Sequence, residues 1–185
     1  MTTHSKIHKK LVGKLVYLRP IATADATERY TNWLNDKSVN QYLESRFEHA
    51  TSSSVHNYIK EVLADKHSYF FAIIENTNGE HIGNIKLGPV HSHHKTGDIG
   101  FFIGEKSSWS KGYATEAILL IVTFAFKKLK LRKVTAGAYA SNAGSIRVLQ
   151  KAGFKQEGLR TKQYRSGRGY TDALLFGKLN PLIEN

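Results

Sequence analysis

A turn of small and basic residues stands directly before a long amphipathic pattern in this chain. The stretch reads WSKGYATEA, from Trp109 to Ala117, and it follows the strand-like sequence DIGFFIG. A helix leaves the N–H groups of its first turn without intrahelical partners and carries a partial positive charge at that end. Ser110 and Gly112 are small enough to let a ligand approach those groups, and Lys111 adds charge. The stretch therefore predicts either a phosphate-binding turn or a helix that Ser110 simply caps.

A second polar pair lies at the predicted first turn of a later helix. Asn142 and Ser145 occur in the stretch ASNAGSIRVLQKAGF. Such side chains either meet a ligand that extends from the first turn or, in the case of Asn142, only cap the helix. The chain has no cysteine, which excludes a thiolate nucleophile, a disulfide and cysteine metal ligands. Any chemistry must use oxygen and nitrogen side chains, backbone dipoles or a bound cofactor.

Hydrophobic patterns place these two turns in a mixed α/β fold. We predict strands over 14–20, 69–75, 81–90, 97–104, 133–140, 154–164 and 170–179, with a hairpin turn at Asn78-Gly79. Helical spacing predicts two or three short helices within 23–65 around a loop over 41–54. It also predicts a long helix after Gly112 and a helix over 142–152 that ends at Gly153. The strand–helix–strand order requires at least one parallel pair, so the sheet is mixed and flanked by helices.

Composition and charge limit the class of protein. The 185 residues, 41% of them hydrophobic, suit one ordinary domain with a buried core. We divide the chain into a basic tail over 1–10, expected to be mobile, and a single domain over 11–185. Neither a membrane-spanning run nor a signal-peptide pattern is present, so we expect a cytoplasmic protein without a membrane partner. The net charge of +12 favours anionic partners, among them nucleic acid and phosphorylated ligands.

The stretches DIGFFIG…WSKGYATEAI and ASNAGSIRVLQKAGFKQEG, in this order and spacing, resemble the motifs of the GNAT superfamily of acetyl-CoA-dependent N-acetyltransferases. The resemblance runs from Lys14 to Leu179 and is strongest to the branch that contains the bacterial ribosomal-protein N-terminal acetyltransferases. It implies a mostly antiparallel sheet of about six to seven strands in which a splayed strand pair holds acetyl-CoA, with no metal. Related enzymes acetylate polyamines and amino sugars.

The same resemblance implies contacts to acetyl-CoA, position by position. Gly112 and Ala114 match the last two fixed positions of the family's pyrophosphate loop, where Trp109 replaces the commonest Gln or Arg. Asn142 matches the asparagine at the pantetheine arm, and Ser145 matches a serine near the thioester sulfur. The strand before the loop is expected to pair edge-on with the pantetheine amides. The full set of expected contacts is Phe102, Ile103, Trp109, Ser110, Lys111, Gly112, Tyr113, Ala114, Asn142 and Ser145.

Direct acetyl transfer needs a held thioester, a neutral amine, support for the oxyanion and a proton for the departing thiolate. Many family members carry a tyrosine acid seven residues after the motif asparagine, where this chain has Leu149. Ser145 is therefore the first candidate proton donor and Tyr139 is the second.

The general base has two candidates among the acidic residues. Asp98 stands where the histone-acetylating branch has its carboxylate, although a solvated charge at a strand end is the alternative. Glu44 is the other candidate, reaching the cleft from the substrate-side helices. Some branches have a glutamate where this chain has Gly137.

Two functions follow from these patterns. The first is an N-acetyltransferase that acts on a protein N-terminus, an amino sugar or another small amine. The second is a basic RNA- or ribosome-binding module, although for the enzyme we expect nucleic-acid contact only indirectly, through a ribosomal acceptor. Positive charge disfavours a polyamine acceptor unless the cleft is locally acidic. Asn84 and Lys86 indicate either a contact to a phosphorylated acceptor or a solvated strand face, and His91–His94 a surface turn rather than a metal site.

Overall fold

The computed structural model describes residues 9–183. The strands are β1 (Leu11–Val12), β2 (Val16–Pro20), β3 (Tyr69–Glu75), β4 (His81–His91), β5 (Thr96–Ile103), β6 (Lys133–Tyr139), β7 (Lys155–Ser166) and β8 (Gly169–Leu179). The helices are α1 (Glu28–Asn35), α2 (Lys37–Asn40), α3 (Ser52–Ala64), α4 (Tyr113–Lys127) and α5 (Ala143–Lys151). Of the predicted basic tail, residues 1–8 lie outside the described residues. The predicted loop over 41–54 contains a short 3-10 turn, Glu44–Phe47, and the start of α3.

All eight strands form one sheet in the order β1-β2-β3-β4-β5-β6-β8-β7. Every neighbouring pair is antiparallel except β5 and β6, which confirms the predicted meander and the predicted parallel pair. The sheet has one strand more than the predicted six to seven because β1 adds two residues to its edge. Two residues are too few to produce an alternating pattern in the sequence.

The parallel pair separates partway along its length. β5 and β6 pair only at Thr96 with Lys133, Gly97 with Val134 and Asp98 with Thr135. Beyond these pairs β5 continues to Ile103 and β6 to Tyr139, each with its other edge still paired. The strands therefore splay from a vertex at Asp98 and Thr135, as expected.

Helices cover the two faces of the sheet and hold the splayed strands in place. On one face, α4 and α5 bury a cluster that includes Ala117, Ile118, Ile121 and Leu149, all 0% exposed. On the other face, α1 and α3 cover only the β2–β3–β4 half, where Ile59 is also 0% exposed. Burial of each large aliphatic side chain contributes roughly 1.5–3 kcal/mol, so α4 is fixed firmly against the sheet.

The start of α4 is also tied to the turn between β1 and β2. The Glu116 carboxylate accepts hydrogen bonds from the backbone N–H groups of Lys14 (2.9 Å), Leu15 (2.7 Å) and Val16 (2.8 Å). A Cβ atom at Gly13 would lie 2.6 Å from Glu116 Oε2, so the turn needs glycine at this close approach. The Tyr113 hydroxyl donates to Glu75 on β3 at 2.6 Å. The first turn of α4 is therefore held at its first residue, Tyr113, and at its fourth, Glu116.

Replacement of Glu116 by alanine should destabilise the fold. Three N–H groups would lose their acceptor, and because two of them are near solvent we expect a loss of about 1–2 kcal/mol in the free energy of unfolding. Urea denaturation of the variant and the wild type measures the difference. Glu61→Ala, on the exposed face of α3, is the matched control and should change stability little. Equal unfolding midpoints for Glu116→Ala and the wild type would show that the carboxylate is not a support for this turn.

Candidate functional site

A cleft of about 890 Å³ opens where β5 and β6 separate. Its walls are the free edges of the two strands, the first turns of α4 and α5, and the segment from Ser38 to Glu44. Every predicted site residue except Lys111 lines it: Glu44, Asp98, Phe102, Ile103, Trp109, Ser110, Gly112, Tyr113, Ala114, Tyr139, Asn142 and Ser145. Lys111 is exposed, and its charge helps to lower the pKa of Glu75, after the hydrogen bonds from Tyr113 and Thr77.

The first turn of α4 has free backbone donors. Gly112 is the N-cap residue with φ of 87°, and it makes no side-chain capping bond. Ser110 also has a positive φ, 62°, and lies two residues before the cap, so the interpretation that Ser110 caps the helix is wrong. Gly112 suits the left-handed conformation because it has no Cβ. Unpartnered N–H groups at a helix start favour an anionic ligand.

Trp109 fixes the loop rather than leaving it open. Its indole Nε1–H donates to the Ile103 carbonyl at the end of β5, at 2.9 Å. The ring is 41% exposed, so it combines this anchoring bond with a free surface at the cleft. Trp109 therefore anchors the loop to the end of β5. The family motif, which most often has Gln or Arg at this position, does not indicate that role.

The free edge of β5 has a register different from the expected one. Gly104 N–H donates to Ile82 on the β4 side, and backbone groups alternate in direction along a strand. The N–H and C=O groups of Ile99, Phe101 and Ile103 therefore face the gap, whereas those of Phe102 face β4. The last pair with β6, Asp98 with Thr135, uses the Ile99 N–H, and Trp109 occupies the Ile103 carbonyl. The groups left open are therefore the Ile99 carbonyl, both groups of Phe101 and the Ile103 N–H, so the expected backbone contact at Phe102 is corrected to Phe101.

The start of α5 brings Asn142 and Ser145 into the cleft. The Asn142 side-chain oxygen accepts the Ser145 N–H at 3.0 Å, which confirms that Asn142 is a helix cap. Both residues also line the cleft, so the capping role and a ligand contact are compatible. Leu149 is 0% exposed in the core, where it contributes packing and no chemistry.

Glu44 and Tyr139 are neighbours on the opposite wall. The Tyr139 hydroxyl donates to Glu44 Oε1 at 2.8 Å and accepts from Arg46 Nη1 at 2.7 Å. Burial raises the pKa of Tyr139; the Arg46 bond opposes this shift and the Glu44 carboxylate adds to it. Tyr164 stacks on Tyr139 with ring centroids 4.1 Å apart, and Tyr42 donates from its hydroxyl to the Ser141 carbonyl.

Sequence reasoning missed three residues of this wall. Arg46 lay in a stretch assigned as a loop, and Tyr42 and Tyr164 lie far from Tyr139 in the sequence. The one sequence signal for Tyr164 is indirect. Gly137 stands where some branches of the family have a glutamate, and the glycine leaves space beside it that another side chain can fill. A Cβ at Gly137 would lie 3.8 Å from the Tyr164 hydroxyl.

Asp98 lies at the vertex of the splay. One of its carboxylate oxygens accepts from Thr135 Oγ1 at 2.7 Å. Although the side chain touches solvent, surrounding protein desolvates the carboxylate and raises its pKa; the Thr135 bond and the charge of Lys86 oppose the shift. Asp98 therefore lies at the cleft floor with its side chain in contact with solvent.

Two other sequence features lie away from the cleft. Asn84 is only 1% exposed, and its side-chain oxygen lies 3.0 Å from His81 Nε2, so neither an acceptor contact nor a solvated position fits Asn84. Lys86, on the same strand face, is half-buried. The rings of Tyr30 and Trp33 on α1 pack against His81, the hydrogen-bond partner of Asn84. His93 and His94 lie in the predicted exposed turn between β4 and β5, and His91, also exposed, is the last residue of β4.

No helix among residues 9–183 is long and apolar enough to cross a membrane.

Comparison with known proteins agrees with this architecture. Residues 16–155 match the family described as "Acetyltransferase (GNAT) domain". The chain is 32% identical over 181 residues to the "Probable N-acetyltransferase YjcK" of Bacillus subtilis (strain 168), an alignment that covers 92% of this chain and 97% of that protein.

Two solved structures share the fold. Spermidine N-acetyltransferase from Vibrio cholerae, in complex with CoA and spermine, superposes with a TM-score of 0.79 at 18% identity, covering 90% of this chain and 96% of that one. A putative ribosomal-protein-serine acetyltransferase from Vibrio cholerae superposes with a TM-score of 0.74 at 16% identity, covering 92% and 97%. At these identities the likeness concerns the fold alone.

Proposed function

Because the chain belongs to the GNAT family of acetyltransferases and is an N-acetyltransferase, we propose that it moves the acetyl group of acetyl-CoA to a primary amine by direct attack in the cleft between β5 and β6. The observation that carries this proposal is the pairing of two features in one cleft. The uncapped first turn of α4 offers N–H donors for a diphosphate, and the adjacent open edge of β5 offers backbone groups for an extended amide chain.

The residues present fit acetyl-CoA. The cleft volume lies within the range of ligand sites, and the wall formed by α5 carries Arg147 and Lys151, which suit phosphate groups. Gly112 leaves room beside the free amides, since a Cβ there would approach only Leu15 Cδ1, at 3.6 Å. Asn142 and Ser145 lie between the phosphate end and the splayed strands.

The acceptor amine enters on the side of Glu44 and Tyr139. Its neutral nitrogen attacks the thioester carbonyl carbon, and the new C–N bond replaces the C–S bond, which breaks. The nitrogen gives one proton to the base, and the departing CoA thiolate takes one proton from solvent. Asp98 accepts the amine proton, since its raised pKa brings the carboxylate closer to an amine in basicity. Ser145 donates a hydrogen bond to the departing sulfur.

The acceptor class has several candidates. A protein N-terminus has a reference pKa near 7.7–8.0 and so needs little help to become neutral, whereas an alkyl amine near 10.4 needs more. The fold shared with a ribosomal-protein-serine acetyltransferase supports a protein N-terminus, and the fold shared with spermidine N-acetyltransferase supports a small amine. An amino sugar is the third candidate.

Calorimetry with acetyl-CoA, together with the release of free CoA in the presence of an amine panel, tests the proposed function. We expect saturable binding of acetyl-CoA and amine-dependent release of CoA. Absence of binding at millimolar acetyl-CoA would refute the proposal. RNA affinity that falls steeply with salt and is insensitive to acetyl-CoA would instead support the binding-module alternative.

Replacement of Ser145 by alanine should lower turnover by up to about 100-fold, because the departing sulfur loses its hydrogen-bond donor. Affinity for acetyl-CoA should change much less, since Asn142 is bonded to the backbone N–H of residue 145 and not to its hydroxyl. Steady-state kinetics and calorimetry measure the two effects. Ser53→Ala on the exposed surface of α3 is the control. Unchanged turnover in Ser145→Ala would remove the serine from this role.

A further inference from the structure

The charged residues of the cleft are divided between its two sides. Arg147 and Lys151 lie on α5, on the side assigned to CoA, whereas the carboxylates Glu44 and Asp98 lie on the acceptor side. Within the described chain neither carboxylate belongs to an ion pair, although four other acids do. Lys86 is near enough to lower the pKa of Asp98 and offsets part of its charge, but it forms no ion pair with it. In a protein with a net charge of +12, two carboxylates outside any ion pair still make that half of the cleft locally acidic.

Arg46 does not cancel this charge directly. Its guanidinium donates to the Leu43 carbonyl, the Tyr139 hydroxyl and the Arg165 carbonyl, and it does not line the cleft. It reaches Glu44 only through the Tyr139 hydroxyl, whose single hydrogen points to Glu44 Oε1. The second oxygen of Glu44 is left for a ligand.

Aromatic rings beside Glu44 suit a cation as well. Tyr139 is covered by Arg46 on one side, with 5.0 Å between guanidinium carbon and ring centroid, and by the stacked ring of Tyr164. Tyr164 and Tyr42 both line the cleft, where aromatic rings can contact an alkyl ammonium. Carboxylate and aromatic faces together are the surroundings that favour an organic cation.

The attacking nitrogen itself cannot supply that cation, because it must be neutral when it attacks the thioester. Building on the proposed function, we propose that the acceptor is an alkyl amine with a second cationic group in the same molecule, which Glu44, Tyr42 and Tyr164 bind while the first amine reacts near Asp98. Thr135, the partner of Asp98, and Tyr139, the partner of Glu44, are four residues apart on β6, which corresponds to a backbone separation of about 13 Å. An extended chain of the length of spermidine approaches this separation, whereas putrescine spans only about half of it, so spermidine is the better match to the site.

Matched acceptors test the proposal on the full chain. Butylamine and putrescine have the same carbon chain and differ only in the second amine; spermidine extends it. We expect kcat/KM for putrescine or spermidine to exceed that for butylamine by about tenfold or more, the value of one hydrogen-bonded charge. Glu44→Gln keeps an acceptor for the Tyr139 hydroxyl and should reduce that ratio to near one. Glu61→Gln, on α3, makes the same charge change outside the cleft and should leave the ratio as in the wild type.

Two further acceptors complete the test. One asks whether the second cation belongs to a free polyamine or to a peptide, and the other asks whether the acceptor is instead an amino sugar. A short peptide with lysine as its second residue carries the same chemistry in a polypeptide; if it exceeds the free diamines, the second cation belongs to a protein N-terminus. Equal kcat/KM for butylamine, putrescine and spermidine, or a preference for glucosamine 6-phosphate, would overturn the proposal.

Calorimetry without acetyl-CoA keeps this inference distinct from the proposed function. Putrescine should bind more tightly than butylamine, and Glu44→Gln should abolish the difference. If acetyl-CoA fails to bind but the protein still binds the diamine more tightly than butylamine, the transferase proposal is wrong and the cation site is supported. If acetyl-CoA is bound and amines are acetylated without any diamine preference, the cation site falls alone.

Discussion

Gly112→Glu should abolish measurable binding of CoA, with an affinity at least about 100-fold below that of the wild type. The new carboxylate would stand beside the free N–H groups of the first turn of α4, where the diphosphate is proposed to bind, and like-charge contact costs several kcal/mol. The positive φ of 87° adds backbone strain for any residue with a Cβ. Calorimetry with CoA measures the loss directly, without dependence on any acceptor.

Two variants separate charge from backbone strain in this experiment. Gly112→Ala shares the strain without the charge, so it should retain a large part of the CoA affinity. Gly79→Glu is the matched control: Gly79 also has a positive φ, 72°, but it lies in the β3–β4 hairpin, where a Cβ meets no atom within 4 Å. Its CoA affinity should equal that of the wild type. A Gly112→Glu protein that is folded and binds CoA normally would locate the diphosphate elsewhere.

Local patterns were sufficient to predict the elements that carry the CoA side. The period change after Gly112 predicts α4, and the helix cap, one of the two interpretations of Asn142, is confirmed because its side-chain oxygen bonds within one turn. Alternation and the Asn78-Gly79 turn predicted the β3–β4 hairpin in the same way. In each case the determining contacts lie within a few residues of one another in the chain.

Contacts between distant residues could not be predicted in this way. Arg46 joins a 3-10 turn to Tyr139 and to the carbonyl of Arg165, over 93 and 119 residues. Glu116 bonds to a turn about one hundred residues earlier, which neither helical periodicity nor charge pattern reveals. The register of β5 is a further example, since the direction of its free groups depends on the pairing of β4 and not on β5 itself.

These long-range contacts explain how a short loop can be rigid. Trp109 bonds the loop to the end of β5, Tyr113 bonds the helix start to β3, and Glu116 bonds it to the β1–β2 turn. Two strands and the β1–β2 turn therefore hold the residues just before and after Gly112. A site held in this way loses little conformational entropy when a ligand binds, which favours affinity.

Arg46→Ala should lower kcat/KM for the acceptor by about 100-fold or more and leave the affinity for acetyl-CoA unchanged. The guanidinium holds the Leu43 carbonyl at 2.9 Å, the Tyr139 hydroxyl at 2.7 Å and the Arg165 carbonyl at 2.8 Å. Without it, the wall that carries Glu44 and the tip of the β7–β8 hairpin lose their shared partner, and displacement of a positioning group by about 1 Å can cost 100-fold in rate.

Three comparisons show whether Arg46 positions the acceptor or merely supports the fold. Arg46→Lys keeps the charge but not the planar set of donors, so it should recover only part of the activity. Arg29→Ala breaks an exposed ion pair to Glu80 outside the cleft and should behave as the wild type. The pKa of Tyr139 should rise further in Arg46→Ala, because the bond that opposes its upward shift is lost, and ultraviolet titration follows the phenol. Normal acceptor kinetics in a stable Arg46→Ala protein would contradict this role, since a wall that keeps its geometry without the guanidinium was never held by it.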